Sequence, residues 1–124
     1  MTKTLLMKKG KSLRDEKRTG VLYRNILMVE KMEATVTHIL PTCRTQPFAH
    51  KGKEIKFMVK GELEYHVDDE KFMFEEGDTL FHHSDDKHWA VNKGTGEAIF
   101  ITVSTPGTFN IFNDPKDKKD KKKK

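Results

Sequence analysis

Two histidines and one glutamate in this sequence have the types and spacing of metal ligands. His50 precedes Glu54 by four residues, and His88 follows much further along the chain. Two imidazoles and one carboxylate form the facial ligand set that suits Fe(II) and similar ions and leaves coordination positions open for a substrate. The sequence therefore predicts a divalent transition metal (Fe, Mn, Ni or Zn) at these residues, with His82 as a possible fourth ligand.

Lys56 offers Glu54 a partner other than a metal. Side chains alternate along a strand, so Glu54, Lys56 and Met58 share one face. A buried carboxylate needs compensation, and an ion pair with Lys56 would supply it without any metal. If a metal is bound instead, the Lys56 ammonium favours a carboxylate or phosph(on)ate ligand beside it. Both interpretations stay open on the sequence alone.

Three further residues are candidates for contact with a small molecule. They are Phe48, just before His50, Met58, on the same strand face as Lys56, and Tyr65 in the following run. Tyr65 is also typical of a core residue, because a buried aromatic ring contributes a large apolar area. We therefore expect these residues, together with Lys56, around a binding pocket.

Short strands must position these residues. Two alternating runs flank Asp68-Asp69, which is a strand–turn–strand signal. Similar runs lie about ten residues apart and are punctuated by Gly and Asp, whereas residues 8–17 form a polar stretch. The predicted strands cover residues 21–28, 33–40, 54–59, 62–67, 70–74, 79–81, 89–92 and 98–103. This pattern predicts an all-β sandwich or barrel without a helix.

Two blocks around the predicted hairpin resemble the two sequence motifs of the cupin family. Six motif positions match in register. In the first block these are His50, Glu54 and Gly61, and in the second they are Gly77, His88 and Asn92. The resemblance implies an all-β cupin jelly-roll (double-stranded β-helix) barrel, with the ligands as above and Gly61, Gly77 and Asn92 as structural residues.

Other motif positions depart from the family. Thr42, His83 and Asp85 replace two glycines and a proline, and Phe48 stands where the family has another histidine ligand. The resemblance implies a single domain over residues 1–113, with its core at about 21–103. Residues 21–109 are most similar to the sensory cupin of helix-turn-helix regulators, and we expect the DNA-binding domain of those proteins to be absent. The triad pattern also resembles that of the epoxidase that makes fosfomycin.

The net charge of +5 is concentrated at the C-terminus. Residues 116–124 hold seven Lys and two Asp, and the remainder holds 17 Lys+Arg (24 − 7) and 17 Asp+Glu (19 − 2). A Lys/Asp segment without apolar residues cannot bury surface, so residues 114–124 are predicted to be a disordered tail. The neutral body gives no reason to expect specific nucleic-acid binding.

The compartment is predicted to be the cytoplasm. No apolar run is long enough to span a membrane, and the N-terminal run is too short for a signal peptide. The lone cysteine, Cys43, excludes an internal disulfide, which is typical of a reducing compartment.

Two classes of function fit these observations. The first is a sensory or binding module for a small, possibly anionic molecule. The alternative is a metal-dependent enzyme (oxygenase, isomerase or epoxidase-like) acting on a small hydroxylated or anionic substrate. A homodimer is expected in either case, because alternation places Ile55, Phe57, Val59, Trp89 and Val91 on the outside of the barrel, where an apolar face needs cover.

Overall fold

The structure, a computed structural model, describes residues 3–107. Within that range it is built of strands alone, and no helix there is long and apolar enough to cross a membrane. The predicted tail lies outside the described residues. The nine strands are β1 (Arg14–Arg18), β2 (Val21–Val29), β3 (Met32–Ile39), β4 (Lys53–Lys60), β5 (Glu62–Val67), β6 (Glu70–Glu75), β7 (Thr79–His83), β8 (His88–Val91) and β9 (Ala98–Thr105).

The strands form two antiparallel sheets of unequal size. The larger sheet has the order β1-β2-β3-β9-β4-β7 and the smaller has the order β6-β5-β8. The chain passes between the sheets at several points, as in a jelly roll. The predicted hairpin is present as β5 and β6, and Asp68 in its turn has a φ of 51°. The predicted all-β jelly-roll fold is confirmed.

One strand, β1, is not predicted by the alternation of apolar and polar residues. No strand is predicted from the sequence for the polar stretch over residues 8–17, yet Arg14–Arg18 pairs with β2 along its whole length. Every residue of this strand is charged, so it has no hydrophobic alternation to detect. Charged side chains are well tolerated on an edge strand, and Glu16 forms ion pairs there with Arg14 and Arg18.

The inward-facing residues of the larger sheet form successive rows, which run from polar to apolar. The first row joins His82, Glu54, Ser104 and Glu33, and the second joins Leu80, Lys56, Thr102, Thr35 and Asn25. We call these two rows the polar end of the barrel. Beyond them lies the apolar end, made of Val21, Ile39, Met58, Ala98 and Phe100 with Leu63 and Phe74 of the smaller sheet.

The predicted structural residues lie in loops that close the apolar end. The Asn92 side chain donates to the carbonyls of Ile39 (2.8 Å) and Gly96 (3.0 Å) and accepts from the Gly94 N–H (2.9 Å). Gly61 has a φ of +78°, and a Cβ there would lie 3.0 Å from the Glu97 carbonyl oxygen. Asn92 thus joins the end of β3 to the loop before β9, and Gly61 makes a turn that a larger residue would strain.

Candidate metal centre

The three predicted ligands meet inside the barrel although they come from three separate segments. Glu54 is on β4, His88 begins β8, and His50 lies in the loop before β4. The backbone N–H of His50 donates to the Ser84 carbonyl (2.9 Å), and Phe48 and His88 exchange two backbone hydrogen bonds of 2.9 Å. These bonds fix the loop against β8, so that both imidazoles face the carboxylate.

The distances between ligand atoms are those of groups around one ion. The Nε2 atoms of His50 and His88 lie 3.2 Å and 3.4 Å from Oε2 of Glu54, and one ligand atom from each residue lies within 4.8 Å of the others. Two ligand atoms each ~2.1 Å from a metal and in neighbouring coordination positions are separated by roughly 3.0–3.5 Å. The two Nε2–Oε2 distances are therefore those of neighbouring positions around one divalent transition metal.

The two oxygens of Glu54 have different partners. Oε1 accepts from the Lys56 ammonium at 2.8 Å, and Oε2 faces the two histidines. The Lys56 Nζ also donates to the Thr102 hydroxyl at 2.9 Å. The ion pair and the metal, which are alternatives at the level of sequence, thus use opposite sides of one carboxylate and are compatible with each other.

The hydrogen bonding of His88 leaves a lone pair aimed at the carboxylate. Its Nδ1 lies 2.6 Å from the Asp86 carbonyl oxygen. A carbonyl can only accept, so Nδ1 carries the proton, and Nε2 of the neutral ring carries a lone pair. Nε2 and the Glu54 Oε2 are then two acceptors facing each other. A metal cation between them would make that contact attractive, and the carbonyl behind His88 would fix its tautomer.

Ionisation at this centre also suits a cation. Burial lowers the pKa of His88 to about 4, although the Glu54 charge opposes this, and burial also lowers the pKa of His50. Burial raises the pKa of Glu54, but the Lys56 ammonium and the other polar neighbours of the carboxylate, His88 among them, together outweigh it and bring the pKa to about 2. At neutral pH the group therefore presents two neutral imidazoles and one carboxylate, the protonation states that metal binding requires.

A cavity opens beside the three residues. The space in it that is open to the centre of a water molecule is about 60 Å³, and its walls come from both sheets and the loop before β4. Lys56, Phe48 and Tyr65 line it, as the sequence predicts for residues that contact a small molecule. Met58 lies one row deeper in the apolar core. The other lining residues are Tyr23, Thr35, Thr37, Thr45, Trp89, Ala90, Phe100 and Thr102.

His82 lies beside the three residues rather than among them. Its Nδ1 is 2.9 Å from the His83 carbonyl oxygen, so Nδ1 carries the proton. Its Nε2 therefore accepts the hydrogen bond from the Tyr65 hydroxyl, at 3.1 Å. His82 is not in the group of clustered ligand atoms. It would have to give up Tyr65 to become a fourth ligand.

Sequence reasoning missed the polar wall that faces this centre. Thr35, Thr102 and Asn25 are all buried in the second polar row. Thr35 and Thr102 sit in runs predicted as strands, where threonine is common, and so they attract no notice. The alternation of Val21 and Tyr23 along β2 could have placed Asn25 on the inner face.

Similarity to known proteins agrees with this fold. A family model described as a cupin domain matches residues 35–104, more than half of the chain. The chain therefore belongs to the cupin domain family, and His50, Glu54 and His88 lie within the matched segment. None of the curated proteins matches the chain in sequence.

Several solved structures share the fold at low sequence identity. KdgF from Halomonas sp. is 14% identical, with a TM-score of 0.77, over 88% of this chain and 99% of that one. An RmlC-like cupin from Shewanella frigidimarina is 19% identical, with a TM-score of 0.75, over 90% and 99% of the two chains. The cupin domain of an XRE family transcriptional regulator from Enterobacter cloacae is 15% identical, with a TM-score of 0.66, over 72% and 99%. At these identities the likeness concerns the fold alone.

Proposed function

We propose that the protein holds a divalent transition metal at His50, Glu54 and His88 and binds a small anionic molecule beside it, as a sensory or binding module. The observation that carries this proposal is the placement of the Glu54 Oε2 between two histidine Nε2 atoms, at 3.2 Å and 3.4 Å. Lys56, which lines the same cavity, supplies a positive charge for the anion. The free Cys43 is in keeping with a cytoplasmic location.

Metal titration tests the first half of the proposal. Protein treated with a chelator is titrated with Fe(II), Mn(II), Ni(II) and Zn(II) in a calorimeter. We expect one ion per chain, and we expect His50→Ala and His88→Ala each to weaken binding more than about 100-fold, since losing even a residue behind a ligand costs up to that much. The matched control is His83→Ala, which removes an exposed imidazole close by.

Two results would contradict the metal site. One is that none of the four ions binds to the unmutated protein. The other is that His83→Ala weakens binding as much as His88→Ala does, which would place the ion at the surface. In either case Glu54 and Lys56 would be a buried ion pair, and the cavity would bind its ligand without a metal.

A second candidate function is a metal-dependent oxygenase, isomerase or epoxidase-like enzyme. It is favoured by the cavity, which adjoins the three ligands and would let a substrate reach a metal with open positions. A direct probe is oxygen consumption by Fe(II)-loaded protein supplied with a hydroxypropyl phosphonate. Consumption that is lost in His88→Ala supports an oxygenase or epoxidase-like enzyme, and no consumption above that of free Fe(II) counts against both of these activities on this substrate. An isomerase consumes no oxygen and is not addressed by this probe.

We also propose that two copies associate through the outer face of the larger sheet. Ile55, Phe57, Val59 and Phe81 are 42–53% exposed there, and Ile55 pairs with Phe81 on one side and Val103 on the other. A contiguous apolar face of this kind favours a partner. A second copy of the chain is the simplest one, because the same patch then covers itself around a twofold axis.

Light scattering on a sizing column tests the dimer. We expect twice the chain mass at tens of micromolar, and we expect Phe57→Glu to produce a monomer because it buries a charge at the centre of the patch. Met73→Glu is the control, since Met73 is 49% exposed but lies on the smaller sheet. A monomeric unmutated protein would contradict the proposal.

A further inference from the structure

One row inside the barrel is polar across four adjacent strands. Asn25 of β2 pairs with Thr35 of β3, Thr35 with Thr102 of β9, and Thr102 with Lys56 of β4. All four side chains are buried, and none is more than 8% exposed. Buried rows of a jelly roll are ordinarily apolar, because each polar side chain placed there must find a partner.

The partners are present at one end of this row and missing at the other. Lys56 contacts the Glu54 carboxylate and the Thr102 hydroxyl. Asn25 is 1% exposed, and neither its amide nitrogen nor its amide oxygen has a hydrogen-bond partner among the described residues. Its row neighbour Thr35, and Tyr23 two residues before it on the same face, both line the cavity. A bulge in β2 lies directly after Asn25.

The contrast with Asn92 shows that Asn25 has no comparable role in the fold. Asn92 is equally buried, at 1% exposure, but its amide makes three hydrogen bonds to backbone groups. An asparagine that holds a fold together is satisfied in this way. Asn25 instead keeps one donor pair and one acceptor unused on the inner face of the barrel. It lies next to Thr35, which lines the cavity, but does not itself form part of the cavity wall.

We infer that Asn25, Thr35 and Thr102 recognise the hydroxyl groups of a ligand whose negative end lies at Lys56. This inference rests on the anion site proposed above and names its ligand class, a small polyhydroxylated monoacid. Four strands at ~4.8 Å spacing give the row a span of roughly 14 Å, and the inward-projecting side chains shorten the gap between its ends. An amide suits a hydroxyl because it can both donate to it and accept from it.

Three six-carbon probes separate the features of this ligand class. Gluconate has a carboxylate and hydroxyls, hexanoate has only the carboxylate, and sorbitol has only the hydroxyls. Calorimetry is done on chelator-treated protein, because gluconate itself binds metal ions. We expect gluconate to bind at least ten-fold more tightly than either of the others. Equal affinity for gluconate and hexanoate would overturn the inference.

Variants then test whether the side chains of this row cause the preference for gluconate over hexanoate. Asn25→Leu should reduce gluconate affinity to that of hexanoate, and Thr35→Val, which keeps the side-chain shape, should reduce it several-fold. The control is Thr79→Val on β7, because Thr79 is exposed and lies outside the cavity. Unchanged gluconate affinity in both Asn25→Leu and Thr35→Val would overturn the inference.

Two further measurements separate recognition from structure and from the metal site. If Asn25 serves the ligand, Asn25→Leu should leave the melting temperature unchanged or raise it, whereas a fall of several degrees would indicate a structural asparagine and count against the inference. Asn25→Leu should also take up Zn(II) as the unmutated protein does. If the unmutated protein takes up Zn(II) but shows no preference for gluconate, the role of the row in ligand recognition is refuted and the metal site is not. If it prefers gluconate but takes up no Zn(II), only the metal site is refuted.

Discussion

The two ends of the barrel are built from the same strands, but they differ in the side chains that face inward. At the apolar end, Val21, Ile39 and Ala98 sit side by side on β2, β3 and β9. Four to six residues along those strands, the inward positions hold Asn25, Glu33 and Ser104. The same three strands run through both ends, and apart from the bulge in β2 after Asn25 the difference between the ends lies in the side chains.

This difference indicates a division of labour between stability and binding. Burial of large apolar side chains such as Leu63 and Phe74 drives folding at the apolar end. The polar end contains the Glu54 Oε2 and the Asn25 amide, which are buried without hydrogen-bond partners among residues 3–107. Such groups destabilise a fold and are retained where they serve a ligand.

The largest effect is expected from Lys56→Met in the metal-free protein. Glu54 is 3% exposed, and without the ammonium it would be left as an uncompensated buried charge. Breaking a buried pair in this way costs on the order of 3–5 kcal/mol. Urea denaturation measures the loss, which the double variant Glu54→Gln/Lys56→Met should largely recover. A single variant as stable as the unmutated protein would contradict the importance of this pair.

A slightly smaller loss is expected at the apolar end from Leu63→Ala. Leu63 is fully buried, and truncation of such a leucine costs about 2–5 kcal/mol through lost burial and the cavity left behind. Denaturation should show this loss, while Zn(II) affinity, measured where the variant is folded, should be unchanged. Weaker Zn(II) binding would mean that the two ends are coupled and that the division is wrong.

The sequence predicts the apolar end better than the polar end. Alternation in the runs containing Leu63, Phe74 and Phe100 locates the strands, since these residues repeat with the period of the pleat. It fails at β1, where all five residues are charged. The motif resemblance brings His50, Glu54 and His88 together because the family's register fixes which strands are neighbours.

The remaining features of the site depend on side-chain contacts that the spacing of residues in the sequence cannot predict. Sequence leaves Lys56 and a metal as rival partners of Glu54, since it cannot show that each would use a different oxygen. It leaves His82 as a ligand, because the hydrogen bond from Tyr65 joins residues on different strands. Asn25 is unremarked for the same reason, since its neighbours Thr35 and Thr102 are distant in sequence.

Acid should destabilise the polar end selectively. The folded pKa of His88 is about 4, below the ordinary 6.5, so the unfolded chain binds more protons between these values. Stability is therefore complete above pH 6.5 and falls as pH drops towards 4, by roughly 3 kcal/mol. Glu54, with a pKa of about 2 against 4.5, extends the fall at lower pH.

The pH dependence of the urea midpoint of metal-free protein checks this expectation. His88→Gln should flatten the fall between pH 6.5 and 4. Leu63→Ala should lower the whole curve without changing its slope, because it alters the apolar end only. A slope that persists unchanged in His88→Gln would show that other groups cause the acid sensitivity.

The smallest effect is expected from an ion pair of the same kind outside the barrel. Lys93 lies 2.9 Å from Glu64, against 2.8 Å between Lys56 and Glu54, but the Lys93 side chain is 65% exposed and that of Lys56 is 6% exposed. Water solvates the partners of an exposed pair in both states, so the contact adds little to stability. Lys93→Met should therefore leave the urea midpoint within experimental error. If it lowers the midpoint as far as Lys56→Met does, then charge pairing as such, rather than burial at the polar end, determines what these lysines contribute.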